Sequence, residues 1–429
     1  AGLLVAAVAA RYAADDPVAN ARAYADAMRR AYGAFPDADT GFVFAESLML
    51  ACGPEGFYNS TTGEQRLLAA EAEGVIRHWI DDEGVDHAGL HHLWVHEAEE
   101  ATAGELDGAG RATHSAERLS EGLNGDFGHF PHMAGHTFIR MGRYGDAVAT
   151  SIKAYASFEA ERKHDTVPYG PGHDCYMLVW AAAMDGQSAV SVDYAKKLRG
   201  IYEWDPDLAM GDYPDQNVGW NALITTPLLR FGDDEGYRAV LDDAAALRCP
   251  PPARNLPGYD LDPAFNYNSA MAHYARALAH AGLGDYDQAR VEQGRLKDFA
   301  SKVYQRAEEP GAGDDPRRSL QGDLARVAED LVAARLALLA PGGADVAGAV
   351  TALRRAAHRE AAMPYEMPPR QGQPAKPCLG AVLLRAGRAE EAEEAFQEDL
   401  VVRPHNAWSL LGIAQVLERR GRPAQEQAA

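Results

Sequence analysis

Apolar residues recur along most of the chain at helical spacing, and runs of alternating β-branched residues are scarce. The stretches between turns are rich in Ala, Leu and Arg, which favour helix. Gly and Pro interrupt these stretches at intervals close to half of a helix pair. The pattern predicts an all-α protein made of repeated helix hairpins, in which each unit buries its apolar face against its neighbours.

The clearest repeat lies near the C-terminus. Gly380 is predicted to let two helices approach closely, Gly387 to form the turn between them, and Ala392 to be the small residue of the second helix. Phe396 is expected to fill the space beside that small residue, and Pro404 to end the unit. This spacing matches the consensus of the tetratricopeptide repeat (TPR), a helix pair of about 34 residues.

Further units of this kind are predicted elsewhere in the chain. They are centred on the turns at Gly142, Gly186 and Gly284 and on residues 328–352. At about 34 residues each, the chain has room for roughly ten to twelve hairpins. The sequence therefore predicts that residues 1–429 form a single α-solenoid, a right-handed superhelix of TPR-like hairpins, with C-terminal TPR units at residues 375–425.

Three long stretches interrupt the repeats because they are too rich in Pro, Gly and Asp for helix interiors. They are Tyr202–Asn217, Arg248–Asn268 and Met363–Pro377. Their aromatic residues favour ordered packing, and loops of this length often have a function. We expect ordered loops that lie over the solenoid or cap its groove.

Charge and cysteine content narrow the choice of partners and compartment. Forty-one Lys and Arg against 63 Asp and Glu give a formal net charge of −22. Nucleic acid and anionic membrane surfaces both require a basic face, so neither is expected as the main partner. The four Cys lie far apart without a CxxC pair, which fits a reducing, cytoplasmic setting. The apolar segment Leu3–Ala10 is about half as long as a membrane span.

Histidine is concentrated in one part of the chain. Eight of the fifteen His lie between His87 and His136. His92 and His96 are four residues apart and form a first group. A second group contains His129, His132 and His136, at spacings of three and four. On a helix these spacings place side chains on one face, about 5–6 Å apart at Cβ, which suits two ligands of one metal ion.

The repeat register brings the two groups together. Counting back from the turn at Gly142 places the second group at positions 2, 5 and 9 of the first helix of its repeat, the helix that lines the concave surface of a TPR solenoid. The same count from Gly186 places His173 at position 2 of the following repeat. His92 and His96 take positions 5 and 9 of the preceding repeat if the connection at residues 102–110 is about five residues longer than usual. Residues 87–186 are therefore predicted to be histidine-rich repeats that form a site in the groove.

A metal site is the interpretation that this arrangement favours. The predicted ligands are His92, His96, His129, His132, His136 and His173. Glu46, in an apolar helical segment, and Tyr176 are predicted to act as acid, base or further ligand. An imidazole-rich site without thiolate suits zinc, copper, iron, manganese or nickel, and ligand type alone does not decide between them. Open positions on a many-histidine site favour the redox metals copper or iron, and zinc is possible. A neutral hydrogen-bonded histidine network and an acid-binding pocket remain alternatives, and so does an ion-pair role for Glu46.

The other nine histidines show no such pattern and are predicted to be surface residues. They are His78, His87, His91, His114, His164, His273, His280, His358 and His405.

Two segments carry a resemblance to a known family. "HHLWVHEAE" and "HMAGHTFIRMGRY" resemble the "HYYIHAVE"-like and "HMPSHIYIRVGRY" segments of a subgroup of bacterial TPR proteins with HxxxH and HMxxH motifs. The resemblance extends over nearly the whole chain and implies the TPR fold without supplying a reaction. The residues that match motif positions are Glu46, His92, His96, Glu99, His129, His132 and His136. Ala134 and Gly135 depart from the usual Pro-Ser, and Tyr176 stands within an "HDCY" segment in place of "HNxHF".

Two classes of function follow from these predictions. The first is a metal-dependent enzyme, a copper- or iron-dependent oxidoreductase that acts on a small molecule or peptide in the concave groove. Metal-assisted hydrolysis is its variant, although neither histidine pair is an HExxH motif. The second is a non-catalytic TPR scaffold that binds a peptide or protein segment, as solenoid grooves often do.

Overall fold

The computed structural model describes most of the chain. The described residues are 2–53, 56–59, 62–101, 108–122, 127–162, 171–204, 225–242, 263–307, 316–363, 366–369 and 372–421. Over these ranges the protein is all-helical, with nineteen α-helices and no strand, so the predicted fold class is confirmed at this level. Among the same residues, every helix is too short or too polar to cross a membrane.

The chain forms two compact units, Ala1–Tyr169 and Gly170–Ala429. The helices of the first unit are α1 (Gly2–Arg11), α2 (Pro17–Ala34), α3 (Ala38–Cys52), α4 (Leu67–Arg77), α5 (Ala88–Glu99), α6 (Thr113–Ser120), α7 (His129–Arg140) and α8 (Tyr144–Arg162). A π-helical turn, His78–Asp82, continues α4, and a 3-10 turn, Ala109–Ala112, precedes α6. Consecutive helices pack together, and α5 also packs against α7.

The second unit repeats this pattern of neighbouring helix pairs. Its helices are α9 (Pro171–Met184), α10 (Ser188–Trp204), α11 (Thr226–Phe231), α12 (Asp234–Asp242), α13 (Pro263–Gly282), α14 (Tyr286–Ala307), α15 (Pro316–Leu338), α16 (Val346–Ala362), α17 (Ala375–Arg385), α18 (Ala389–Val402) and α19 (Ala407–Arg419).

Short polar side chains fix where several helices begin. The Asp16 carboxylate accepts a hydrogen bond from the Val18 N–H at 2.9 Å, and Pro17 occupies the first position of α2. Asp345 accepts from the Gly348 N–H at 2.8 Å at the start of α16. These caps satisfy amide groups that have no partner within the helix.

The predicted repeat turns are present in the structure. Gly142, between α7 and α8, and Gly387, between α17 and α18, have φ of +71° and +77°. Side chains with a Cβ rarely adopt this left-handed conformation, so glycine is favoured where one helix ends and the chain turns back into the next.

The close contact predicted for the C-terminal repeat is also confirmed. A Cβ on Gly380 of α17 would lie 2.6 Å from the ring of Phe396 on α18, so only glycine fits between the two helices. Gly412 of α19 lies against the same ring, and Ala392 is fully buried. Three successive helices, α17, α18 and α19, therefore pack around one phenylalanine. The superhelical continuation of these helices stays a prediction.

The three predicted loops have different outcomes. Most of Tyr202–Asn217 lies outside the described residues, apart from the end of α10, and so do residues 248–262. The loop prediction is wrong for Pro263–Asn268, which begins α13. Proline is tolerated at the first helical position because its missing N–H would have no partner in the helix there. The described part of Met363–Pro377 is non-helical until α17 begins at Ala375.

Candidate metal centre

Helices α5 and α7, the first helices of neighbouring hairpins, position the histidines of the first unit. The Nδ1 atom of His87 accepts a hydrogen bond from the Leu90 N–H at 3.1 Å and so caps α5. On α7, the Thr150 hydroxyl of α8 donates to the Pro131 carbonyl at 2.7 Å. This buried hydrogen bond ties the first turn of α7 to its partner helix.

His92, His96 and His129 form the first part of the site. One ring nitrogen from each of the three lies within 4.8 Å of the other two. The Nε2 atoms of His92 and His129 are 3.2 Å apart, although the residues belong to different helices. His92 and His96 lie on successive turns of α5, with ring centroids 4.7 Å apart. This triad could hold a metal ion, and its members are only half-buried.

His132 and His136 of α7 lie next to this triad, on the side that faces the protein interior. Their Nε2 atoms are 3.1 Å apart, and both residues are buried. The His132 ring stacks on that of His129 at a centroid distance of 5.6 Å. Five imidazoles thus form one continuous arrangement in the first unit. We call His92, His96, His129, His132 and His136 the histidine cluster.

Glu99 supplies the carboxylate of the cluster. Its Oε1 atom lies 2.7 Å from Nδ1 of His136, and both side chains are 9% exposed. An ionised carboxylate only accepts hydrogen bonds, so Nδ1 of His136 carries the proton and donates it. Nε2 of His136 is then left with its lone pair and faces His132. Carboxylates that orient metal-binding histidines commonly work in this way.

Burial keeps three histidines of the cluster, His92, His96 and His132, uncharged. It lowers the pKa of His92 to about 2, with a further contribution from the neighbouring imidazoles. The pKa of His96 is lowered to about 4, mainly by burial. Burial also holds the pKa of His132 well below its ordinary value, and the adjacent His136 adds to this. Neutral imidazole is the form that binds metals, so no proton has to leave these rings at neutral pH.

A second set of polar contacts fixes α5 to the preceding helices. Glu97 is fully buried, its Oε1 accepts from the Gln65 amide at 2.6 Å, and burial raises its pKa to about 8. Arg111 pairs with Glu73 at 2.9 Å, and its carbonyl accepts from the indole N–H of Trp94 on α5 at 3.2 Å. These contacts hold α5 in place from the side of α4 and the 3-10 turn.

Glu46, predicted as an acid, base or ligand, forms other contacts. Its Oε1 atom lies 3.4 Å from Nη1 of Arg11 on α1, and its Oε2 accepts from the Tyr24 hydroxyl of α2 at 3.3 Å. This is the ion-pair arrangement that the sequence left open as the alternative. A catalytic role for Glu46 stays a prediction.

His173 and Tyr176 both lie on α9 of the second unit. The Tyr176 hydroxyl donates to the Pro369 carbonyl at 2.5 Å, and the side chain is 2% exposed. Their predicted roles as ligand and as acid or base stay predictions.

Two of the histidines predicted to lie on the surface are buried instead. His91 is 1% exposed, with Nδ1 2.8 Å from the Ser115 hydroxyl and Nε2 3.1 Å from Asp86. His273 is 8% exposed and lies 2.6 Å from the Glu292 carboxylate. Each is buried because a polar side chain of a neighbouring helix hydrogen-bonds to it, and the spacing along its own helix does not reveal that partner.

The fold and the site define an all-helical protein with a partly buried histidine cluster between two neighbouring hairpins. Comparison of the chain with models of known protein families gave no match, and a search of curated proteins gave no significant one. The resemblance to TPR proteins therefore stays a prediction, and the properties of the site follow from its geometry.

Proposed function

We propose that the histidine cluster binds a transition metal and that the protein is a metal-dependent oxidoreductase. The observation that supports this is the spacing of the ring nitrogens. Two ligands on one tetrahedral ion, with metal–nitrogen bonds of about 2.0–2.1 Å, lie about 3.3 Å apart. The Nε2 atoms of His92 and His129 are separated by 3.2 Å, and those of His132 and His136 by 3.1 Å.

A hydrogen-bonded pair of neutral imidazoles has similar spacing, so the third histidine separates the two interpretations. His96 presents a ring nitrogen within 4.8 Å of both His92 and His129. A hydrogen bond between two rings does not require a third, whereas three protein ligands with an open fourth position are typical of catalytic metal sites. The triad thus favours a metal over a histidine network.

The cofactor that we propose is copper or iron. Imidazole without thiolate suits zinc, copper, iron and nickel alike, and we place copper or iron first because the open position of the triad suits a redox metal, with zinc as the alternative. Hydrolysis by a metal-activated water benefits from a nearby proton acceptor. Glu99, the carboxylate of this cluster, is occupied by His136 at 2.7 Å. Electron transfer to or from a bound substrate has no such requirement, so we place oxidoreductase before metal-assisted hydrolase.

The substrate that we propose is a small molecule or a peptide. In this proposal the hairpins continue as a TPR-like solenoid, and the substrate reaches the half-buried side of the cluster, at His92 and His129, from the concave groove. The bound metal would supply the electron transfer. Burial would hold His92, His96 and His132 neutral, and Glu99 would orient the imidazole of His136.

Metal analysis tests this proposal. Protein purified without a histidine tag should contain at least one equivalent of copper or iron by elemental analysis, and the double variant His92→Ala, His129→Ala should lose it. A matched double variant, His114→Ala, His358→Ala, removes two exposed histidines and should keep the metal. Zinc in place of a redox metal would favour the hydrolase. If no metal were present or taken up on reconstitution, the enzyme proposal would fail, and a peptide-binding scaffold would remain.

A further inference from the structure

The second unit contains a cavity of about 280 Å³ between α11, α13, α15, α16 and α17. Its inner wall is apolar, with the buried side chains of Leu229, Leu331 and Leu353. The exposed residues Ala381 and Arg385 mark the side that is open to solvent. A cavity with an apolar inner wall and polar groups near its opening is the usual form of a small-molecule site.

Three arginines line this cavity, and none of the described residues that line it is acidic. This is unexpected on a chain with 63 acidic and 41 basic residues. Arg230 is held in place because its Nη1 donates to the Gly372 carbonyl at 3.3 Å and its guanidinium lies 4.9 Å from the centre of the Trp408 ring.

The other two arginines, Arg335 and Arg385, make no hydrogen bond or ion pair with any residue that the structure describes. Elsewhere in the same unit, arginines such as Arg355 are paired, here with Asp330 at 2.6 Å. Arg335 is only partly exposed. A guanidinium that loses water without gaining an acceptor is unfavourable, and a bound anion would supply the acceptor.

The remaining polar groups of the wall are uncharged. Gln373 donates to the Cys378 sulfur at 3.3 Å, and burial raises the pKa of that thiol to about 11. The thiol is therefore protonated at neutral pH and does not act as a nucleophile. The charge of the cavity comes from its arginines alone among the lining residues described.

We propose that this cavity binds a small amphipathic carboxylate. Its apolar tail would lie against Leu229, Leu331 and Leu353, and its carboxylate would pair with Arg335 and Arg385 near the opening. The volume supports a small molecule over a peptide segment, because pockets for drug-sized ligands are about 300–1,000 Å³ and this cavity lies just below that range. The site is distinct from the histidine cluster and does not depend on it.

Calorimetric titration with octanoate tests the proposal. Octanoate should bind the wild-type protein with saturation, and the affinity should fall as salt is raised because salt screens the ion pairs. Octylamine, which has the same tail and the opposite charge, should not bind. The double variant Arg335→Gln, Arg385→Gln should bind octanoate about tenfold more weakly or worse, since it removes charge-assisted hydrogen bonds.

Two further variants separate the cavity from the general surface. Arg290→Gln removes an exposed arginine of α14 that does not line the cavity, and it should leave octanoate affinity unchanged. Ala381→Trp should block the opening and abolish binding while the circular dichroism spectrum stays native. The proposal is overturned if octanoate does not saturate the wild type, if octylamine binds equally, or if Arg290→Gln weakens binding as much as the double variant does.

Discussion

His136 and Glu99 form a buried imidazole–carboxylate pair, with Nδ1 of the histidine 2.7 Å from Oε1 of the glutamate. The pair joins α7 to α5 across 37 positions of sequence. Because the carboxylate accepts the Nδ1 proton, Nε2 of His136 keeps its lone pair and faces His132 at 3.1 Å. Glu99 therefore selects the nitrogen of His136 that a metal can use.

Glu99→Gln should weaken metal binding by about 10–100-fold, the usual effect of losing a residue that orients a ligand. The amide can donate as well as accept, so it no longer selects one tautomer of His136. Competition with a chelator of known affinity measures the effect.

Glu97→Gln is the matched control, on the same helix and equally buried. The pKa of Glu97 is raised to about 8, so its side chain is already mostly uncharged at pH 7 and the amide should change metal affinity little. Equal losses in both variants would mean that Glu99 has no orienting role.

The metal-free protein should lose stability as the pH falls below about 6.5. The folded-state pKa values of His92 and His96 are lowered to about 2 and about 4 from an unfolded value of 6.5. Between pH 6.5 and 4 the unfolded chain therefore binds protons that the folded chain does not, and the free energy of unfolding decreases. By pH 5 the loss should be on the order of 1–2 kcal/mol for each histidine.

Urea unfolding in the presence of EDTA at pH 7, 6 and 5 measures this dependence. The variant His92→Gln, His96→Gln cannot be protonated at these positions, so its free energy of unfolding should change less with pH. Parallel pH profiles for the wild type and the variant would show that the two imidazoles are protonated equally in both states.

The contact between Gly380 and Phe396 predicts opposite effects for two similar substitutions. Gly380→Ala should destabilise the protein by about 1–3 kcal/mol, because its Cβ would lie 2.6 Å from the Phe396 ring. Gly294→Ala, in the interior of α14 where an added Cβ meets nothing within 4 Å, should stabilise it by about 0.5–1 kcal/mol. Thermal unfolding of both variants checks the sign, and two shifts in the same direction would contradict the contact.

Asp399→Ala should be among the most destabilising changes in the second unit, at about 3–5 kcal/mol. Asp399 is fully buried and accepts from Arg403 at 2.8 Å, Asn406 at 2.6 Å and Ser409 at 2.7 Å. Its loss would leave a buried guanidinium without its closest acceptor. Asp298→Ala, at an exposed position of α14, should change stability by less than about 0.5 kcal/mol. Urea unfolding compares the two.

The proximity of the five clustered histidines was predictable from the sequence. It depends on their spacing along each helix and on the rule that equivalent helices of successive repeats are neighbours. Spacings of three and four put His129, His132 and His136 on one face of α7. The rule that first helices of successive repeats are neighbours then placed them beside His92 and His96, as the packing of α5 against α7 confirms. The turn at Gly387 was also predictable from local sequence, since it depends on the left-handed φ angle of that one residue.

Contacts between distant polar groups were not predictable in this way. The pairing of Glu46 with Arg11 depends on how α1 meets α3, and the burial of His91 depends on Ser115 of α6. The carboxyl-binding cavity brings together arginines more than 100 residues apart, on α11 and α15. No periodicity marks such residues, because their environment comes from packing between elements.

The histidine cluster takes its members from two separate hairpins, so an ion bound there would link α5 to α7. An ion that binds the folded chain only, at about a hundredfold excess over its dissociation constant, adds about 2.7 kcal/mol to folding. Here that energy would stabilise the packing of α5 against α7, where Nε2 of His92 lies beside Nε2 of His129. Removal of the metal would therefore weaken the contact between α5 and α7 first. Backbone amides of these two helices would exchange hydrogen faster, while exchange in the remaining helices would be unchanged at first.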